Sequence, residues 1–312
     1  MSEGNIVVVD DDDEGPSSDQ GRGAAKRQKT GDGPIEKLLR KLYCCYIGED
    51  VEEMILVLLK SMGSVQSGDL RQRTEAITGN FVCRWGSLSI DKRDMRILLS
   101  EEWLNDNIMN MFLCIITRSL GYQFLDGPEG RIPFPECIVV NTFLYKALFM
   151  PDGQVDSVKV ARWFNHADIS EVHRIAVPIN LEDVHWIGVV IDTREHRLHI
   201  CDSSAVPSRR TELHAGIAKR ILSFYEALCR VKGRTTCTRS EWLIYYNSQC
   251  ILQQQNDGNS CGVWVLFNLL FLMQGKEVVP IGNNNIPNAR KWIAQKFLEF
   301  GEACAQESDG GQ

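Results

Sequence analysis

Gln255-Asn256-Asp257-Gly258-Asn259-Ser260-Cys261-Gly262-Val263-Trp264-Val265-Leu266-Phe267 passes from a polar loop straight into an apolar run. The run continues to Gln274 and stops at Gly275, which predicts a buried helix over Cys261–Gln274. A cysteine where such a helix starts feels the positive end of the helix dipole, which favours the nucleophilic thiolate over the thiol. Gly262 removes a side chain beside the sulfur, so that a substrate backbone can approach. Most free cysteines are buried packing residues. This segment by itself leaves that reading open, and the groups that would activate a nucleophile have to decide.

Upstream, three β-branched runs, Arg174–Leu181, His185–Asp192 and Arg197–Ser203, are separated by the polar turns Glu182-Asp183-Val184 and Thr193–His196. His185 opens the second run, and a strand end is a rigid platform for a general base. Asp202 lies near the close of the third. If the two runs pair as an antiparallel hairpin, the carboxylate falls beside the imidazole and can orient it. Singly, each residue has a commoner explanation: an Asx-turn aspartate and a satisfied structural histidine. His166, His173, His196, His199 and His214 compete for the histidine role. Gln253-Gln254-Gln255 supplies side-chain amides that can donate to a developing oxyanion.

Further out, helical periodicity runs from Ile35 to about Lys60 with a break at Gly48, and Ser61–Asp69 reads as a linker. Glu101–Leu120, Gly216–Cys229 and Lys291–Phe300 read as helices and Trp242–Tyr246 as a short strand. Helices before and after a strand cluster predict an α+β fold, a central mixed sheet flanked by helices with the candidate nucleophile at a helix N-terminus. The expected organisation is a disordered acidic tail over 1–33, a helical extension and linker over 34–80, a main domain over 81–305 and a polar fray over 306–312.

Charge narrows the partners. Of the net charge of −7, the first 33 residues hold −4, from eight acids and four bases. The remaining chain is mildly acidic, which argues against nucleic acid as the main partner. Eleven cysteines are scattered without a Cys-x-x-Cys pair, and the N-terminus lacks the apolar core of a signal peptide. We therefore expect free thiols in a reducing intracellular compartment and no structural zinc. The longest apolar runs are too short for a membrane span.

Order and joint spacing carry more than any single motif. Trp103-Leu104-Asn105-Asp106-Asn107-Ile108-Met109-Asn110, Asn141-Thr142-Phe143-Leu144-Tyr145, Val160-Ala161-Arg162-Trp163, Val177-Pro178-Ile179-Asn180 leading to His185-Trp186, Cys201-Asp202-Ser203 and Gln255 to Gly262 follow one another collinearly. In this the sequence resembles the ubiquitin-like-protein proteases, the SUMO or sentrin proteases, over about residues 81–300. The resemblance implies a cysteine-protease fold with Cys261 as nucleophile, His185 as general base, Asp202 as its orienter and Gln255 as oxyanion donor, with Gln254 as the neighbouring alternative. It implies that Trp103 and Trp186 line a tunnel for a Gly-Gly tail and that Asp106 sits at the substrate-facing rim. Ser260 stands where many relatives have Asp, and Trp264 where Phe is usual; neither change removes a catalytic group. The implied reaction is hydrolysis after the C-terminal Gly-Gly of SUMO, in a precursor or in an isopeptide link, by a monomer without metal or cofactor. The rivals are a protease for NEDD8 or ubiquitin and, in another class, a catalytically silent modifier-binding scaffold.

The tail carries one further pattern. Ile6-Val7-Val8-Val9 precedes Asp10-Asp11-Asp12-Asp13-Glu14 and resembles a SUMO-interacting motif, able to add as a strand to a sheet edge on the modifier. Lys26-Arg27-Gln28-Lys29 is a short basic cluster of the kind used in nuclear import.

Overall fold

The computed structural model describes residues 33–43, 50–125, 135–150, 153–204, 210–246, 255–277 and 281–309. In chain order the elements are α1 (Pro34–Tyr43), α2 (Val51–Gly63), α3 (Ser67–Ala76), β1 (Phe81–Trp85), β2 (Leu88–Asp91), α4 (Lys92–Leu98), α5 (Asp106–Ser119), β3 (Gln123–Phe124), β4 (Cys137–Val139), α6 (Leu144–Leu148), α7 (Ser157–Trp163), β5 (Arg174–Leu181), β6 (His185–Asp192), β7 (Arg197–Cys201), α8 (Arg210–Val231), β8 (Leu243–Tyr246), α9 (Cys261–Leu272) and α10 (Ile286–Asp309).

The central sheet has the order β3-β4-β5-β6-β7-β8. Its β5-β6-β7 meander is antiparallel, and both flanks are parallel, so the sheet is mixed, as the sequence predicts. Side chains alternate across the strands. Ala176, Trp186, Val190 and Cys201 join one core, and Val177, Ile187, Val189 and Ile200 join the other. On the first face lies α9, every residue of which is buried; a helix apolar all round belongs in an interior. It approaches β6 closely because Gly188 has no side chain: a Cβ there would stand 3.3 Å from Leu269 Cδ2 and 3.4 Å from Val265 Cγ1. On the second face α8 buries Ile217, Ile221, Phe224 and Leu228.

Several boundaries differ from expectation. The stretch 61–69 is no simple linker, because α2 runs to Gly63 and α3 begins at Ser67. Only Leu70 and Thr74 of α3 are buried, too sparse an apolar face to stand out in sequence. The extension is also not separate from the main domain. Leu38, Leu39, Leu42, Leu58, Met62 and Leu70 belong to the same core as α5, α9 and α10. The terminal fray is shorter than expected, since α10 continues to Asp309. Glu307 there accepts from the backbone N–H of Ile35, and Glu302 pairs with Arg73 at 2.7 Å. The expected helix break at Gly48 and the whole of the acidic tail, with Ile6, Val7, Val8 and Val9, lie outside the described residues. Among the described residues no helix is long and apolar enough to cross a membrane.

Candidate active site

The turn before β6 sets the position of His185. Glu182 and Asp183 both adopt left-handed backbone, with φ of 53° and 60°, a conformation that reverses the chain tightly at some cost in strain. Lys146 on α6 pairs with Asp183 at 2.6 Å. In the β6–β7 pair Gly188 stands opposite Cys201. Continuing that register places Asp202 opposite Ile187, a diagonal neighbour of His185 on the same face. The hairpin inferred from the sequence is therefore present, and His185 Nε2 lies 2.7 Å from Asp202 Oδ1.

Asp202 is fully buried. Its Oδ1 also accepts from the Ser204 backbone N–H at 3.0 Å, and its Oδ2 lies 2.9 Å from His214 Nε2. Burial pushes the carboxyl pKa up, but the bonds from His185, His214 and Ser204 prevail and hold it well below the usual carboxylate range. At His185 burial works against the charged form. Hydrogen bonding and attraction from Asp202 and Cys261 outweigh it, and the pKa rises to about 9. With Nε2 committed to Asp202, Nδ1 is the ring nitrogen left for Cys261.

Cys261 is the first residue of α9 and is buried. Asp257 shapes the approach to it. Its Oδ1 accepts from the backbone N–H groups of Asn259 and Ser260, and its Oδ2 accepts from Ser260 Oγ at 2.6 Å. Gln255 is anchored to the segment after β7. Its N–H donates to Ser203 O at 2.8 Å, its Oε1 accepts from Ser203 Oγ at 2.6 Å, and its Nε2 donates to Asp257 O at 2.8 Å. The Asp257 carbonyl, which can only accept, fixes the facing end of that amide as the NH2 and leaves the oxygen to Ser203. The alternative, Gln254, lies outside the described residues.

The two tryptophans differ. Trp103 is 47 % exposed, and its Nε1 donates to Gly258 O at 2.6 Å. Trp186 is 3 % exposed, and its Nε1 donates to Leu104 O at 2.8 Å. A Cβ on Gly262 would meet Leu104 Cβ at 3.0 Å and Trp186 Cδ1 at 3.2 Å. The missing side chain at Gly262 thus admits Leu104 and Trp186, not open space for a substrate. Asp106 opens α5, half-buried, three residues beyond Trp103.

Two contributors escape the motif reading. Arg290 on α10 is buried and donates to the carbonyls of Ile97, Ser100, Glu102 and Asn259 at 2.7–3.2 Å. It ties the segment before Trp103 to the loop before Cys261. His214 reaches the site from α8. Both sit on apolar stripes, beside Ala289 and Ile293 in one helix and Ile217 and Ala218 in the other. A polar residue on such a stripe was the available signal, but both predicted helices began just beyond them. Among the described residues no group of three or more His, Cys, Asp or Glu could hold a metal ion.

Residues 102–303 match the model of the Ulp1 protease family, C-terminal catalytic domain. The chain is 28% identical over 178 residues to a sentrin-specific protease of Caenorhabditis elegans, covering 57% of this chain and 22% of that protein. It is 26% identical over 211 residues to sentrin-specific protease 2 of Pongo abelii, covering 68% and 32%. The chain thus spans a third or less of the length of these curated relatives. In fold it is similar to the C-terminal Ulp1 protease domain solved in complex with Smt3, the yeast ortholog of SUMO, with a TM-score of 0.59 and 20% identity over 75% of this chain and 94% of that one. The match embraces every element from α5 to the body of α10, including the β6–β7 hairpin and the start of α9, and the chain belongs to the Ulp1 protease family.

Proposed function

We propose that this chain is a thiol protease that cleaves after the C-terminal Gly-Gly of a ubiquitin-like modifier, SUMO foremost. The observation that carries this reading is the line from fully buried Asp202, 2.7 Å from half-buried His185, to Cys261 at the start of α9, with contacts that raise the imidazole pKa to about 9. In this reading the Cys261 thiolate attacks the carbonyl carbon of the terminal glycine. The oxyanion is met by the side-chain N–H of Gln255 that does not bond Asp257, and by the Cys261 backbone N–H at the open start of α9. His185 protonates the departing amine from Nδ1, leaving a thioester. It then takes a proton from water, which attacks the thioester and releases the modifier. Half-exposed Trp103 flanks the path of the tail, Trp186 backs that path from the core, and Asp106 stands at its rim.

The modifier is the open variable, and a panel of SUMO, NEDD8 and ubiquitin bearing C-terminal fluorophores tests it. Release from SUMO at more than tenfold the others is expected. Preference for NEDD8 or ubiquitin replaces SUMO as substrate, and silence toward all three with retained binding supports a scaffold. Deconjugation and precursor processing are separated by giving the enzyme isopeptide-linked and peptide-linked forms.

The catalytic unit in this proposal takes in the helices before Phe81, because they share its core. The Ile6–Val9 segment and its acidic neighbours serve as a second, weak SUMO contact, with the apolar residues adding as a strand and the acids meeting a basic rim. A peptide of residues 1–20 is expected to perturb an exposed strand edge of isotope-labelled SUMO, and Val7→Ala with Val8→Ala to abolish the effect. Lys26-Arg27-Gln28-Lys29 supports a nuclear location within the cell, which imaging of the full chain with Lys26 and Arg27 replaced by Ala would check.

A further inference from the structure

Asp202 is fully buried and directly follows the last residue of β7. A carboxylate held through one oxygen can still pivot, because its terminal torsion is broad. Here Oδ1 is engaged by His185 Nε2 at 2.7 Å and by the Ser204 N–H at 3.0 Å. The other oxygen, Oδ2, faces His214 Nε2 at 2.9 Å. The His214 side chain is 8% exposed and comes from α8, on the sheet face opposite α9. Its ring stacks on Tyr246, with centroids 5.7 Å apart and planes 15° from parallel. Since Asp202 is ionised, the proton between it and His214 belongs to the imidazole, which donates.

We infer that His214 is a positioning residue for catalysis: its N–H, held by the Tyr246 stack, fixes the plane of the Asp202 carboxylate so that Oδ1 stays aligned on His185. The relay is thus Cys261, His185, Asp202 and His214, with the fourth member touching neither substrate nor nucleophile. This rests on the proposed roles of the first three. Alignment of the general acid affects the chemical step, not the binding of the modifier. Loss of the His214 donor is therefore expected in kcat with KM spared.

The test uses the full chain and the best fluorogenic conjugate from the modifier panel. His214→Phe keeps the ring and its stack but removes the N–H. His214→Gln keeps an N–H donor but loses the stack. The expected result is a kcat lowered about 10- to 100-fold in His214→Phe, KM within about twofold in both, and kcat of His214→Gln restored to within about fivefold of the parent. A His214→Phe kcat within about twofold of the parent overturns the inference, as does an equal fall in His214→Gln. Should His214→Phe not fold, His214→Leu, which like His214→Gln loses the stack but also lacks the N–H, takes its place: a kcat about tenfold or more below that of His214→Gln is expected, and a kcat within about twofold of it would overturn the inference. Cys261→Ser separates the two levels: turnover surviving in it removes the triad itself, whereas its loss beside an unaffected His214→Phe removes only the role of His214.

Discussion

In the proposed reaction His185, Asp202 and Cys261 differ in what their loss should cost, because each would hold a different part of the proton and charge traffic. Cys261→Ser keeps shape but has a far poorer nucleophile. Turnover is expected to fall by at least about 10³-fold while modifier binding persists, as measured by single-turnover kinetics and titration. Asp202→Asn should cost less than His185→Ala, roughly 10²-fold against 10³-fold or more, since the base survives when its orienter is changed. Equal small losses in both would show that the pair has been misassigned. The pH dependence follows from the same contacts. The pKa of His185 is raised from 6.5 to about 9. Its stabilising effect on the fold is therefore complete below about pH 6.5 and fades as pH rises through about 9. The proton that it gives the leaving amine in the proposed reaction is lost over that same upper range, so kcat should decline on the alkaline side near pH 9. Asp202 is depressed, so its contribution is present above the ordinary carboxylate range and disappears as acid is added. Replacing Asp202 by Asn should move the alkaline decline to lower pH, which a kcat profile between pH 6 and about 10 would record.

Arg290 acts between elements. Its position on α10 lets one guanidinium satisfy four backbone carbonyls on two separate segments, 97–102 and Asn259. One segment leads into Trp103, and the other is the loop before Cys261. Arg290→Met fills similar space but leaves those buried carbonyls short of a donor. The expected cost is on the order of 2–4 kcal/mol in stability, with KM raised because Trp103 loses its fixed approach. Thermal melts and steady-state kinetics measure the two effects separately; an unchanged melt with an unchanged KM would remove Arg290 from this role. Trp186 differs from Trp103 at this scale. It is packed between Leu104 and Gly262, so Trp186→Ala should lower stability by about 3–5 kcal/mol as a core truncation, and any effect on cleavage has to be read after that correction.

Across the whole molecule, the helices before Phe81 complete the first core. Leu39, Leu42, Leu58, Met62 and Leu70 are each at most 3% exposed, and Ser61 Oγ accepts from the indole N–H of Trp292 on α10. Each such side chain contributes roughly 1.5–3 kcal/mol through burial. A chain begun at residue 78 should therefore melt at least about 10 °C lower or fail to melt cooperatively. A melt within a few degrees of the parent would show the extension to be separable after all. Elements with local signals were legible in the chain: the β5–β6–β7 meander, from its β-branched runs and polar turns, and the apolar helix beginning at Cys261. The candidate set His185, Asp202, Gln255 and Cys261 rested instead on the collinear order of short motifs that resembles the ubiquitin-like-protein proteases, because singly each of these residues has a commoner explanation. Long-range packing instead set that Gly262 makes room for Leu104 and Trp186, that the extension shares the main core, and that Arg290 and His214 reach the site from helices α10 and α8. Those facts depend on which faces meet across tens or hundreds of residues. A polar residue on an apolar stripe shows in sequence only that it is exceptional; the partner that makes it so is fixed by packing.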